Sequence, residues 1–285
     1  MTINFNKNIS EKKNNQYLKD IEYYGYTKIE NFLNKKQVSY LLKLVNNEYK
    51  DLNEVKKIKY KGVPSRNSYD KIVYNLYNLD HAFIKLLSQE SIQNIAKGKL
   101  NDPYYRYLHS DLPNYCLSYY NARSSGKKLD FHIDSHIPYL SDNIFAMQFT
   151  FLLEKSTIEN GCTIAVPGSH KSGKFTDRDF SNYKNLTGSP GDLLIWDSRI
   201  WHGTNDNISK RSRWALIATL TSWWLKPAVD IIRSINPDIY DKCSDNEKLL
   251  LGFCSIPPTN IFERNNTKNG YDFLKKNLSE YDFKK

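Results

Sequence analysis

The feature that most constrains this chain is a change of texture near Tyr104. From there to about Leu225, short runs rich in Tyr, Phe, Ile, Leu and Thr alternate with Gly, Pro, Ser and Asn clusters. The runs fall at 115–120, 129–133, 144–153, 162–166, 192–197 and 213–224. Their β-branched and aromatic content favours strands. Many short strands separated by turn residues predict an antiparallel sandwich or barrel and exclude a parallel sheet built from βαβ units.

Helical patterns flank this block. Residues 1–20 are polar and Lys/Asn-rich and are expected to form a flexible tail. Tyr24 to Phe32 reads as a strand and turn. Val38, Leu41, Leu42 and Val45 then recur at helical spacing behind a capping Asn34. A second helix is expected over Asp80 to Lys97, burying Phe83, Leu86, Leu87, Ile92 and Ile95, with Gly98 as its stop. Beyond Pro227 the chain turns helical again: Ser244 and Glu247 form a capping box ahead of Leu249 to Leu251, and Gly252 closes that helix. The expected organisation is one α+β, mainly β domain over 21–285. Its helical N-terminal part spans 21–100, its β core 104–225 and its helical C-terminal extension 226–285.

Charge narrows the functional classes. The formal charge is +10, but residues 1–61 carry 13 lysines against 7 acids, whereas residues 130–225 carry 9 Lys/Arg against 10 acids. The surplus is scattered as single lysines and pairs outside the β core, with no basic stripe, so a solvated surface is expected and no nucleic-acid partner. No apolar run reaches membrane-spanning length, and the N-terminus lacks the apolar stretch of a secretory signal. Cys116, Cys162, Cys243 and Cys254 form no CxxC pair, which suits reduced thiols in a cytoplasmic protein.

The chemistry concentrates in Leu129-Asp-Phe-His132-Ile-Asp134-Ser-His136. In an extended strand, residues i and i+2 share a face, so His132 and Asp134 can reach one point. A third ligand is offered by His202, beside Gly203 and just beyond the buried run Leu193 to Trp196. Two imidazoles and one carboxylate form a facial triad suited to iron(II), leaving open coordination positions. Eleven residues on, Arg213 opens the apolar run 214–220, where a guanidinium can pair with a carboxylate through two parallel hydrogen bonds. The other histidines have blander readings: His136 lines the pocket or the surface, His170 ends a Pro-Gly-Ser-His turn, and His81 and His109 are ordinary. Asp197 and Arg199 read equally as a pair behind the site or as a surface loop. The Tyr104-Tyr105, Tyr119-Tyr120 and Trp223-Trp224 pairs read first as β packing.

These pieces, in this order and spacing, resemble the phytanoyl-CoA dioxygenase family of iron(II)/2-oxoglutarate oxygenases. Glu159-Asn-Gly-Cys-Thr-Ile-Ala-Val-Pro-Gly-Ser-His170 matches the family's turn and strand, and Ser125-Gly-Lys-Lys128 also has its character. The resemblance covers Tyr115 to Leu225 well. It implies a double-stranded β-helix, a cupin-like jelly roll, with iron held by His132, Asp134 and His202. It further implies 2-oxoglutarate and O2 as cosubstrates, Arg213 and Thr204 on the distal carboxylate of 2-oxoglutarate, and Thr150 and Leu117 as further contacts. Thr150 stands where some members carry a large aromatic residue. The implied reaction hydroxylates a small organic substrate, anionic and carrier-linked ones included, while 2-oxoglutarate becomes succinate and CO2. Asp134 itself separates this chain from halogenating relatives, which have a small residue there. Two other functions stay open: a silent jelly roll that only binds ligand, and a cupin-like metal isomerase, which would favour a His-x-His cluster that this chain lacks. The oligomeric state stays open as well.

Overall fold

A computed structural model describes residues 3–55, 71–102, 112–124, 126–175, 180–209, 211–257 and 260–262. Helix α1 (Glu11–Tyr24) leads to β1 (Tyr26–Ile29), α2 (Lys35–Val55), β2 (Lys71–Val73), α3 (His81–Ser88) and α4 (Glu90–Leu100). The β core follows: β3 (Tyr115–Ser124), β4 (Leu129–His132), β5 (Ala146–Leu152), β6 (Thr163–Ala165), β7 (Lys184–Leu186), β8 (Leu193–Asp197), β9 (His202–Thr204) and β10 (Ala215–Ser222). Short helices α5 (Ile231–Ser234), α6 (Pro237–Tyr240) and α7 (Asp245–Leu250) close the described chain.

The strands form two antiparallel sheets, one ordered β1-β8-β5-β10-β3-β2 and the other β4-β9-β6-β7. The antiparallel pairing is that expected from the strand spacing, and the two-sheet arrangement is the jelly roll that the family resemblance implied. The helices cover the outer face of the larger sheet: Phe83, Ile92 and Leu41 join Phe149, Ile195, Leu216 and Tyr120 in the main core. The inner face of that sheet looks toward the smaller sheet and mixes polar Tyr119, Arg123, Gln148 and Thr150 with apolar Leu152, Leu194 and Ala215. The polar members of that face line a cavity.

Local chemistry explains most boundaries. Asn34 and Gln37 cap α2 reciprocally, with Gln37 N–H donating to Asn34 Oδ1 (3.0 Å) and Asn34 N–H to Gln37 Oε1 (2.8 Å). Ser244 and Glu247 form the expected capping box on α7, and Gly252 follows at φ 97°. Three expectations need correction. The flexible tail is instead ordered from residue 3: Phe5 is buried, Ser10 caps α1, and Ile21 packs in the core with Tyr17 and Leu18 beside it. Its apolar residues are sparse but fall on one helical face, which polar composition concealed. The single helix over 80–97 is two, broken where Gln89 turns extended (φ −63°, ψ 145°). Gly98 does not stop α4 but lies inside it, because a Cβ there would meet Leu18 Cδ1 of α1 at 2.9 Å. Tyr104, Tyr105 and His109 lie outside the described residues.

Candidate metal centre and cosubstrate cavity

His132 ends β4 and His202 begins β9, and these two residues are direct partners across the antiparallel pair. Their rings lie 4.3 Å apart, centroid to centroid. The approach depends on Gly203, since a Cβ there would collide with the carbonyl oxygen of Leu129 and come within 3.2 Å of the Asp130 backbone. Asp134 is not in the strand, as the i, i+2 argument supposed, but in the turn after it. Its backbone N–H and that of Ser135 both donate to Ser198 O, at 2.8 and 3.0 Å. A strand continued to Asp134 would have carried the chain past this anchor; the turn instead swings the carboxylate back between the imidazoles.

The three groups converge. His132 Nε2 lies 3.6 Å from Asp134 Oδ1 and His202 Nε2 lies 3.3 Å from Asp134 Oδ2. The potential ligand atoms all fall within 4.8 Å of one another. Ligands about 2.1 Å from one ion and at right angles to each other lie about 3 Å apart, so the spacing suits a shared metal. Tautomers support the same use. His132 Nδ1 meets Asp130 O at 2.9 Å and His202 Nδ1 meets Ile200 O at 3.0 Å. A carbonyl only accepts, so each Nδ1 carries a proton and Nε2 is the atom turned toward the carboxylate.

Burial alone would push the Asp134 carboxyl up, but His202, His132 and a hydrogen bond from Gln148 outweigh it and hold the group well below the usual range. Burial, reinforced by its neighbour His132, pushes His202 down despite Asp134. These two shifts favour carboxylate and neutral imidazole, the forms that bind metal, whereas His132, which burial alone would lower, is raised by Asp134 and Asp130 O. Behind the carboxylate stands a relay that sequence reading did not find. Gln148 Nε2 donates to Asp134 Oδ2 (2.8 Å) and to Tyr119 Oη (2.9 Å), while Thr219 Oγ1 donates to Gln148 Oε1 (2.6 Å). Trp196 Nε1 adds a long contact to Asp134 Oδ2 at 3.4 Å.

The site opens into a cavity of about 110 Å³ between the two sheets. His132, Asp134, His202, Thr204, Thr150 and Arg213 all line it. Arg213 is buried, its backbone N–H held by Ser124 Oγ at 2.9 Å. Thr204 Oγ1 accepts from Leu129 N–H at 3.0 Å, which leaves its own proton to give. Thr150 Oγ1 is buried with no hydrogen-bond partner among the described residues. A buried hydroxyl without a partner is costly, so it fits a polar ligand in the cavity. Arg123, which the sequence reading did not single out, brings a second guanidinium to the same space. Leu117 is not brought there. A bulge leaves Ser118 without a β10 partner between Leu117 and Tyr119, so Tyr119 faces the cavity while Leu117 turns into the helix-side core.

The remaining residues have defined places. His136 is exposed at φ 64°. His170 is buried and its Nε2 donates to Glu22 O at 3.0 Å, tying the turn after β6 to α1. Asp197 and Arg199 form a buried pair, Arg199 Nη2 to Asp197 Oδ2 at 2.6 Å, and Arg199 Nη1 donates to Ser141 O at 2.6 Å. Since Ser198 lies between them, this pair stiffens the segment on which Asp134 hangs.

A jelly roll with two histidines and a carboxylate on one interior face defines the class of facial-triad metalloproteins. The family profile described as phytanoyl-CoA dioxygenase (PhyH) matches residues 21–215, and the chain belongs to that family. Among curated proteins it resembles the uncharacterized protein Rv1501 of Mycobacterium tuberculosis, at 28% identity over 126 residues. That match covers 44% of this chain and 46% of Rv1501. It also resembles dioxygenase af480 of Aspergillus fumigatus, at 25% identity over 193 residues, covering 65% of this chain and 59% of that protein. The chain thus spans about half the length of these relatives. The crystal structure of EctD from S. alaskensis superposes with a TM-score of 0.59 at 18% identity, covering 80% of this chain and 82% of EctD. EctD has also been crystallised with bound Fe and with 2-oxoglutarate and 5-hydroxyectoine. At that identity the likeness establishes the fold.

Proposed function

We propose that this protein is an iron(II)- and 2-oxoglutarate-dependent oxygenase that hydroxylates a small organic molecule. The observation that carries this reading is the convergence of two proton-fixed imidazoles and an ionised carboxylate at the edge of a cavity that also holds Arg213. His132, Asp134 and His202 would hold the iron. When bound, iron with 2-oxoglutarate and O2 supplies the oxidising chemistry, releasing succinate and CO2. The protein's own work is positional. Asp130 O and Ile200 O keep the Nδ1 protons away from the metal side, and Gln148 and Trp196 occupy one carboxylate oxygen, steering the other toward the ion. Arg213 receives the distal carboxylate of 2-oxoglutarate, with the Thr204 and Thr150 hydroxyls beside it. The apolar walls Leu152, Ala215 and Ile217 keep water off that ion pair.

A carboxylate at position 134 and the family of the chain support hydroxylation over halogenation. Among the described residues no helix is long and apolar enough to cross a membrane. Buried Cys116, Cys162 and Cys243, none in a disulfide, support a reducing compartment such as the cytoplasm. The test is direct. Iron(II) and 2-oxoglutarate are added to the protein without oxygen and the visible band of their chelate is sought; O2 is then admitted and succinate measured. A band followed by succinate is expected. Absence of both overturns the reading.

A further inference from the structure

A second cluster of side chains able to bind metal lies outside the cavity lining, where the C-terminal helices meet α3. His81 is the first residue of α3, Cys243 lies between α6 and α7, and Glu247 sits in the first turn of α7. One donor atom from each falls within 4.8 Å of the others. Cys243 and Glu247 are buried, and the His81 side chain is 15% exposed. His81 Nε2 lies 3.1 Å from Glu247 Oε2, about the separation of two ligands that share a tetrahedral ion. Cys243 Sγ donates to Ile239 O at 3.2 Å.

We propose that His81, Cys243 and Glu247 supply three ligands, with a water as the fourth, to a zinc-class divalent cation that fastens the C-terminal helices to α3. The donor set argues for it. Nitrogen, thiolate and carboxylate ligands together are the zinc repertoire, and neither magnesium nor calcium takes sulfur. Glu247 already accepts from Ser244 N (2.8 Å), Ser244 Oγ (3.1 Å) and Ser88 Oγ (3.2 Å), so its carboxylate is oriented before any metal arrives. Burial and the Glu247 charge push the Cys243 thiol up to about 12, so without metal the sulfur keeps its proton on Ile239 O. Metal binding replaces that proton, which leaves to solvent, and forms the sulfur–metal bond. The competing account is a hydrogen-bonded strut of the same residues that takes no ion.

Cobalt(II) separates the two, because the cavity site contains no cysteine. In reduced full-length protein carrying Asp134→Ala, to disable the cavity site, cobalt(II) is expected to give an intense near-ultraviolet thiolate-to-cobalt band that zinc(II) displaces. Cys243→Ser should remove the band, and His81→Gln should weaken cobalt affinity by about ten-fold or more. No thiolate band, or one that survives Cys243→Ser, overturns the proposal. Should Cys243→Ser not fold, melting decides. Zinc is expected to raise the Tm of the Asp134→Ala protein, with no such rise once His81→Gln is added. An equal rise in both overturns the site. None of these readouts depends on oxygenase turnover.

Discussion

The two metal-competent clusters differ in what surrounds them more than in what they contain. Each combines histidine and carboxylate, and each is assembled from parts of the chain far apart in sequence. Around His132, Asp134 and His202 the remaining space is a cavity lined with hydroxyls and guanidiniums, with His132 partly exposed. Around His81, Cys243 and Glu247 it is filled by packed helices, and the third donor is a sulfur. An ion in the first place would keep positions facing the cavity, whereas one in the second would have its fourth position enclosed by packed helices. Openness, not ligand count, separates a reacting site from a fastening one.

That contrast can be broken from its strongest side first. Asp134→Ala removes the only anionic ligand of the open cluster, and succinate formation is expected to fall to background while the fold, followed by circular dichroism, persists. Arg213→Ala should leave iron binding intact but raise the KM for 2-oxoglutarate. Losing one partner of a buried charge pair costs about 2–5 kcal/mol, roughly thirty-fold to several thousand-fold. Full activity in that variant would move the cosubstrate elsewhere. Gln148→Leu keeps every ligand but cuts the relay from Thr219 and Tyr119, and a drop of about 10- to 100-fold in iron affinity or turnover is expected. Smallest of all, Ser244→Ala removes the cap of α7 and should cost about 1 kcal/mol by chemical denaturation, with turnover unchanged.

The open cluster was legible because its chemistry needs unusual residues. His132, Asp134, His202 and Arg213 stand out in apolar or turn segments, and their order matches a family pattern. Gly203 was visible beside His202, although only the β4–β9 register explains it: the glycine lets one backbone pass against the other. Gln148 was hidden. It sits in a strand buried along its whole length, and a glutamine gains meaning there only through partners on β3, β10 and the turn after β4. Leu117 was expected at the site through the family resemblance alone, and the bulge at Ser118, invisible in the sequence, turns it into the helix-side core instead. The helical regions show a similar limit. Asn34 and Ser244 announced their helices through local hydrogen bonds, whereas α1 depends on where Phe5 and Ile21 find the rest of the core.

One detail of the turn after β4 reaches further than the site itself. The backbone of residues 134 and 135 hangs from a single carbonyl, Ser198 O, which is braced from behind by the Asp197–Arg199 pair. Immediately downstream, His136 takes a left-handed conformation and the chain runs out to exposed Ile137 and Leu140. The ligand is therefore clamped upstream of the point where the chain changes direction. Exchanges at exposed Ile137 and Leu140 leave the Ser198 anchor in place, whereas Ser141 O, which accepts from Arg199 Nη1, ties the far side of the same loop back to the brace. A loop held at both ends in this way can vary at its exposed tip while Asp134 keeps its place.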